Sequence, residues 1–220
     1  MQPETAHSIR WYEVTGAAAG IGLLMLVDEP VQRFAQRNRS PTTDDLASGF
    51  RHAGQPEVYG TVTLGLLGAG LAAHRPAITH AGMRLAVSLG LAGGTTLALK
   101  NLFGRARPDD GVGAFEFDPF THYESLPSGH TTMAFALATS LADDVRSPVV
   151  RVALYAVATG TGLSRINDNR HWVSDVGLGA LVGVASAKLV SGRWRVFGIA
   201  PPGLLIAPDG RAALGWRGSF

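Results

Sequence analysis

The chain has 220 residues, of which 46% are hydrophobic and 16% charged, well below the roughly 25% charged that is usual for soluble domains. The formal net charge is +2, and the arginines are scattered with no interleaved aromatics, which argues against a nucleic-acid partner. There is no cysteine, so disulfides and thiolate metal sites are excluded.

Glu4 stands where a secretory signal would be basic. The first apolar run, 14–27, ends in Asp28-Glu29-Pro30 rather than at a small-residue cleavage site, so it reads as a retained first membrane helix. Residues 28–57 are polar. Within them Val31, Phe34 and Ala35 recur at helical spacing beside Gln32, Arg33, Gln36 and Arg37, the pattern of a short amphipathic helix lying at an interface. Five more apolar runs follow, at 58–73, 85–99, 131–142, 152–163 and 176–187. All are rich in Ala, Gly, Leu and Val, and all predict helix. The 28 glycines, with Ala, Ser and Thr, suit helices that pack closely in lipid. The uncharged cores fall short of the roughly 20 residues a spanning helix wants, which leaves a soluble bundle as the rival reading. Lys100, His130, Arg165 and His171 sit at run ends, where such groups face a bundle interior, and this favours the membrane.

Residues 101–126 read as a long loop with Pro108, Gly111, Gly113 and Pro119, and with aromatics at Phe115, Phe117, Phe120 and Tyr123. A loop of that length in a compact protein is usually functional. His122, Tyr123 and Glu124 either line an entrance or pack the loop. From Ser191 onward, Trp194, Val196, Phe197 and Ile199, then Pro201-Pro202 and Asp209-Gly210, predict a small β-hairpin or an irregular tail. The expected fold is all-α: a six-helix membrane-embedded bundle with a short amphipathic helix after the first. It forms a single domain over 1–220, with its core at 58–190 and a tail at 191–220. Six crossings put the ends at Lys100, His130, Arg165 and His171 on one side. The N-terminus, the turn at 142–148 and the tail fall on the other. Arginines lie on both sides, so charge does not fix the orientation.

Three short motifs carry chemistry. His171 and Asp175 are four apart at a helix start and share a face. The carboxylate can orient the imidazole through Nδ1 and leave Nε2 free as nucleophile or base. The plainer alternative is a pair that caps the helix. Pro127-Ser128-Gly129-His130 precedes another helix, whose free N–H groups, with the serine hydroxyl, make an anion site. The alternative is an ordinary serine cap. Lys100 ends a helix and Arg107 precedes Pro108, so both can swing into one pocket, or both can snorkel to water. Arg165 can bind an anion or simply complement a helix C-terminus. Together these groups suit a phosphate, because guanidinium forks bind two oxygens at once. Phosphoryl transfer is mostly positioning and charge stabilisation.

Lys100-x6-Arg107-Pro108, Pro127-Ser128-Gly129-His130 and Ser164-Arg165-x5-His171-x3-Asp175 resemble the three-part signature of the type 2 phosphatidic acid phosphatase superfamily, with no departure at any signature position. The likeness covers about 58–190. It implies a helical, metal-independent phosphatase with no cofactor. In that reading His171 is the nucleophile, His130 the proton donor and Asp175 the partner of His171. Lys100, Arg107, Ser128, Gly129 and Arg165 hold the phosphate. Ser164 has only a local structural role, and Asp168 is a loop residue. The expected substrate is a lipid phosphate or pyrophosphate, and the resemblance implies a bacterial inner-membrane location with an extracytoplasmic site. The alternatives are a soluble periplasmic acid phosphatase, a vanadate-dependent haloperoxidase, and a non-catalytic phosphate-binding membrane protein.

Overall fold

The computed structural model describes residues 6–197 and the strands at 203–206 and 212–215. Strand β1 (His7–Ile9) leads into helix α1 (Trp11–Met25), where the Glu13 carboxylate accepts the Arg10 N–H at 2.7 Å and closes the first turn. Helices α2 (Asp28–Arg37) and α3 (Pro41–His52) follow. Next come α4 (Pro56–Ala72) and the long α5 (Pro76–Phe103). A 3-10 turn at Pro108–Asp110 lies in the connection to α6 (Gly129–Asp144), then α7 (Pro148–Asn167) and α8 (Val173–Val190). Proline opens α3, α4, α5 and α7, where its missing N–H would be unpaired in any case. Helix α5 stops at Gly104, whose φ of +50° and close approach to the Asp118 carbonyl leave no room for a side chain.

All six apolar runs fall in helices, α1 and α4 to α8. The polar stretch 28–57 holds two helices rather than one, and α2 does more than lie at an interface. Phe34 is exposed, while Gln32 donates to Asn169 Oδ1 at 2.7 Å and Gln36 to the Ile166 carbonyl at 3.1 Å. The amphipathic helix therefore grips the turn between α7 and α8. Strand β2 (Trp194–Val196) pairs in parallel with β1, an arrangement the local pattern did not suggest. Strands β3 (Gly203–Ile206) and β4 (Ala212–Gly215) pair antiparallel, which favours the hairpin over the irregular tail of the two expected forms. Asp209-Gly210, Ile199 and Pro201-Pro202 lie outside the described residues.

Helix α6 is the hub and packs on α5, α7 and α8. Its buried residues are all alanine or threonine. On α8, Gly179 and Gly183 are four apart and face it. A Cβ on Gly183 would stand 2.4 Å from the Thr132 carbonyl, and one on Gly179 would stand 2.7 Å from the Ser128 carbonyl. Small residues thus bring the backbones together where no hydrophobic force separates protein from lipid. Large aliphatic side chains such as Leu23, Leu64, Leu71, Leu97 and Leu163 point outward. Helices α5 and α8 are long and apolar enough to cross a membrane, and α1 with α2 forms a third candidate bent by 50°. These are the features of a membrane protein. At about 1.5 Å per residue, the 28-residue α5 exceeds the hydrocarbon thickness of about 30 Å.

The contact of α6 with α8 predicts unequal responses to added methyl groups. Gly183→Ala should lower the unfolding midpoint in detergent, a loss of about 1–3 kcal/mol from overpacking. Gly65→Ala, where nothing lies within 4 Å of the new carbon, should not lower it. A Gly183→Ala protein as stable as the parent would show that the two helices need not approach so closely.

Candidate active site

The chain after α7 turns through Asn169, at φ +59°, and the Arg170 and His171 N–H groups return to the Arg165 carbonyl at 3.0 and 3.3 Å. This turn tucks His171 inside, with 4% of its surface exposed. Its Nδ1 lies 2.9 Å from the Ser125 carbonyl and 3.7 Å from Asp175 Oδ2. A carbonyl only accepts, so Nδ1 carries the proton and Nε2 is the free nitrogen. The expected partner was the Asp175 carboxylate. The structure gives the hydrogen bond to Ser125 and leaves Asp175 at ion-pair distance. Burial pushes the imidazole down to about 4, against the pull of Asp175, so His171 is neutral at neutral pH.

Asp175 is fully buried and fully engaged. Its Oδ2 accepts the Trp172 N–H at 2.8 Å, which caps α8, and the Ser125 hydroxyl at 2.5 Å. Its Oδ1 accepts from Arg105 at 2.7 Å. Arg105 has no exposed surface, and it also donates to Asp28 Oδ2 at 2.7 Å, to Ser174 Oγ at 2.7 Å and to the Ala114 carbonyl. Asp28, the residue that closes the first apolar run, accepts the Ser174 N–H and hydroxyl as well. Sequence reasoning missed Arg105, Asp28 and Ser125. The one available signal was a second arginine two before Arg107, in a segment already rich in charge.

Ser128 precedes α6, yet its side chain caps no helix N–H. The hydroxyl is buried and accepts from Thr131 Oγ1 at 2.9 Å, and its N–H donates to the Asp175 carbonyl at 3.0 Å. The second and third motifs are therefore tied through the backbone. A Cβ on Gly129 would meet only Thr96 Cγ2, at 3.9 Å, so this glycine is not demanded by crowding within the protein. His130 lies within electrostatic range of Arg165, His171, Arg51 and Asp168. Gly54, between α3 and α4, backs it closely. A Cβ there would stand 2.7 Å from the His130 carbonyl and 3.1 Å from its Cβ.

The cations come from three elements. Lys100 is buried on α5 and donates to the Glu124 carbonyl, with Arg107 and Asp175 nearby. Arg107 N–H donates to Asp110 at 2.7 Å, while its guanidinium stands 4.0 Å from Glu124 and is only loosely held. Arg165 donates to Asp168 Oδ2 at 2.8 Å, and the same oxygen accepts from Arg51 at 2.9 Å. Asp168 is thus more than a loop residue, because it holds Arg165 in place. Arg165 Nε is buried with no hydrogen-bond partner among the described residues, an expensive state unless a ligand anion completes it. Ser164 donates to the Thr161 carbonyl at 2.7 Å, a purely local bond.

Arg39, Arg51, His130, Arg165, Asp168 and Arg170 line a cavity of about 420 Å³. Four guanidiniums against one carboxylate make it a receptacle for anions. His171, Lys100, Arg107, Ser128 and Gly129 do not line this cavity. His171 joins it through the charge neighbourhood of His130, and Lys100 and Arg107 through that of His171, while Ser128 and Gly129 directly precede His130 in the chain. Arg39 and Arg51 lie outside 58–190, so that core alone does not hold the whole site. Arg165→Gln should weaken binding of inorganic phosphate by roughly tenfold or more in calorimetry. Arg146→Gln, in the exposed turn between α6 and α7 at the far end, should bind as the parent does.

The PAP2 superfamily model matches residues 81–196, the stretch that carries all three motifs. A lipid A 1-phosphatase of Porphyromonas gingivalis is 47% identical over 111 residues, which are 50% of this chain and 22% of that protein. One from Rhizobium johnstonii is 40% identical over 119 residues, 51% of this chain and 46% of the relative. The chain thus spans less than half the length of these two relatives. The transmembrane PAP2-type phosphatidylglycerolphosphate phosphatase of Bacillus subtilis shares the fold, with a TM-score of 0.66 at 24% identity, covering 82% of this chain and 95% of that one. With its ordered motifs gathered at one end of a helical bundle and more than half its length matched, this chain belongs to the PAP2 superfamily.

Proposed function

We propose that this protein is a membrane phosphatase that hydrolyses lipid phosphomonoesters or lipid pyrophosphates through a phosphohistidine. The observation that carries the reading is the meeting, at one end of the bundle, of two imidazoles with three cations and the free N–H end of α6. The relatives named above as lipid A 1-phosphatases and the phosphatidylglycerolphosphate phosphatase support a phosphorylated lipid as substrate.

In this mechanism the Nε2 lone pair of His171 attacks phosphorus in line. The bond from phosphorus to the leaving oxygen breaks as His130 gives that oxygen a proton. Water then attacks the phosphohistidine, His130 takes the water's proton, and the phosphorus–nitrogen bond breaks to free phosphate. Lys100, Arg107, Arg165, the Ser128 hydroxyl and the Gly129 N–H hold the equatorial oxygens. Ser125 fixes the tautomer of His171, and Asp175 stabilises the positive charge that grows on the ring. No metal or cofactor takes part. The chain works as one catalytic unit over 1–220 in the bacterial inner membrane, with the site on the extracytoplasmic face.

A panel of lipid phosphates and pyrophosphates, assayed with purified protein in chelator, should release phosphate. His171→Ala should abolish turnover without unfolding the protein, and full activity in that variant would remove the nucleophile. Burial pushes both imidazoles down to about 4, His171 as the neutral attacker and His130 as the group that must carry a proton, so kcat/KM should rise as pH falls from about 7 towards 4 and drop only below that, once the substrate's own titration is allowed for. An acid limb near 6.5 would contradict a buried nucleophile. Carbonate-washed membranes should retain the protein. With no native cysteine, a single one placed at the exposed Val112 should react with impermeant reagent in intact spheroplasts.

A further inference from the structure

Two fully buried carboxylates, Asp28 at the start of α2 and Asp175 on α8, share one fully buried guanidinium. The phosphatase reading gives Arg105 no task, since it touches no part of the anion cavity. Its contacts nevertheless lead directly to the nucleophile. Arg105 holds Asp175 by Oδ1 at 2.7 Å, and Asp175 Oδ2 holds the Ser125 hydroxyl at 2.5 Å. The Arg105 carbonyl accepts the Ser125 N–H at 2.8 Å, and the Ser125 carbonyl accepts the His171 Nδ1 proton at 2.9 Å. Arg105 therefore grips Ser125 twice, once through its own backbone and once through Asp175. Phe117 and Trp172 cover the guanidinium at 5.3 and 5.7 Å, and the Trp172 indole N–H is tied to the Ala106 carbonyl at 2.9 Å.

We infer that Arg105, seated on Asp28, is a positioning residue for the nucleophile: it holds Asp175 and Ser125 so that His171 keeps its Nδ1 proton on the Ser125 carbonyl and turns Nε2 towards the phosphate site. The inference rests on His171 being the nucleophile. Its second consequence is electrostatic. With Arg105 between them, the two carboxylates carry a net single negative charge behind the imidazole. The other charges that face His171 are Lys100 from α5, Arg107 from the segment after it, His130 from α6 and Asp175 itself from α8. Changes at Asp28 and Arg105 should move the balance in opposite directions while leaving every phosphate-binding cation in place.

The test follows the His171 titration by NMR of histidine-labelled protein in detergent, alongside kinetics on a lipid phosphate. Arg105→Gln should raise the His171 midpoint by about one pH unit, because an uncompensated carboxylate favours the imidazolium. Asp28→Asn should lower it. The double variant Asp28→Asn with Arg105→Gln restores the net charge and should bring the midpoint back towards the parent. In kinetics, Arg105→Gln should lower kcat with KM nearly unchanged, and Arg105→Lys should recover part of the loss. Midpoints that do not move, or that move in the same direction in both single variants, would overturn the inference. So would a kcat loss in Arg105→Gln that is equal at every pH and that Arg105→Lys does not relieve. If Arg105→Gln fails to fold, Asp28→Asn alone must still lower the midpoint. The titration needs no turnover. A parent protein inactive on every lipid phosphate but with shifting midpoints would refute the phosphatase reading, and with it the nucleophile, and leave only Arg105's hold on the His171 ring.

Discussion

The structure depends on one guanidinium taken out of water. Arg105 lies between Asp28 and Asp175 with all three side chains at zero exposure, and it joins α2, the segment after α5, and α8. Desolvating such a cluster is costly, and removing one partner from a buried ion pair costs about 3–5 kcal/mol because a charge is stranded. Each donor and acceptor here is met, by Ser174, Ser125, the Trp172 N–H or the Ala114 carbonyl. Fully satisfied polar networks of this kind fix a unique arrangement rather than a merely compact one. That arrangement sets where His171 points.

Helix packing serves the same end by a different force. Lipid gives helices little hydrophobic reason to associate, so close contact rests on small residues. Gly179 and Gly183 let α8 lie against the start of α6, and Gly54 lets the turn before α4 lie against His130. The Ser128 N–H then reaches the Asp175 carbonyl. Two motifs nearly fifty residues apart in sequence become neighbours through backbone atoms, which no side-chain substitution can lengthen without moving a helix.

Charge is divided between two layers. Behind His171 lie carboxylates balanced by one arginine. In front lie Lys100, Arg107, Arg165 and the arginines of the cavity. Asp168 belongs to the front layer, yet it is taken by Arg51 and Arg165 and so orients a cation rather than repelling an anion. Arg165 Nε has no hydrogen-bond partner among the described residues, which leaves one preorganised donor for an anion.

Periodicity made the helices legible. Six apolar runs became six helices, because burial of Ala, Gly, Leu and Val at helical spacing is a local property. The three motifs were legible for a similar reason, since their members sit within a few residues of each other or in a fixed order. The tertiary structure decided which group takes the Nδ1 proton of His171. Ser125 is 46 residues away in the chain, and nothing local marks its carbonyl. It also decided that α2 grips the loop between α7 and α8, that Asp28 is buried, and that Arg105 rather than Arg107 stands between the carboxylates. Sequence patterning records which side chains avoid water; it does not record which distant partner satisfies a polar group once water is gone.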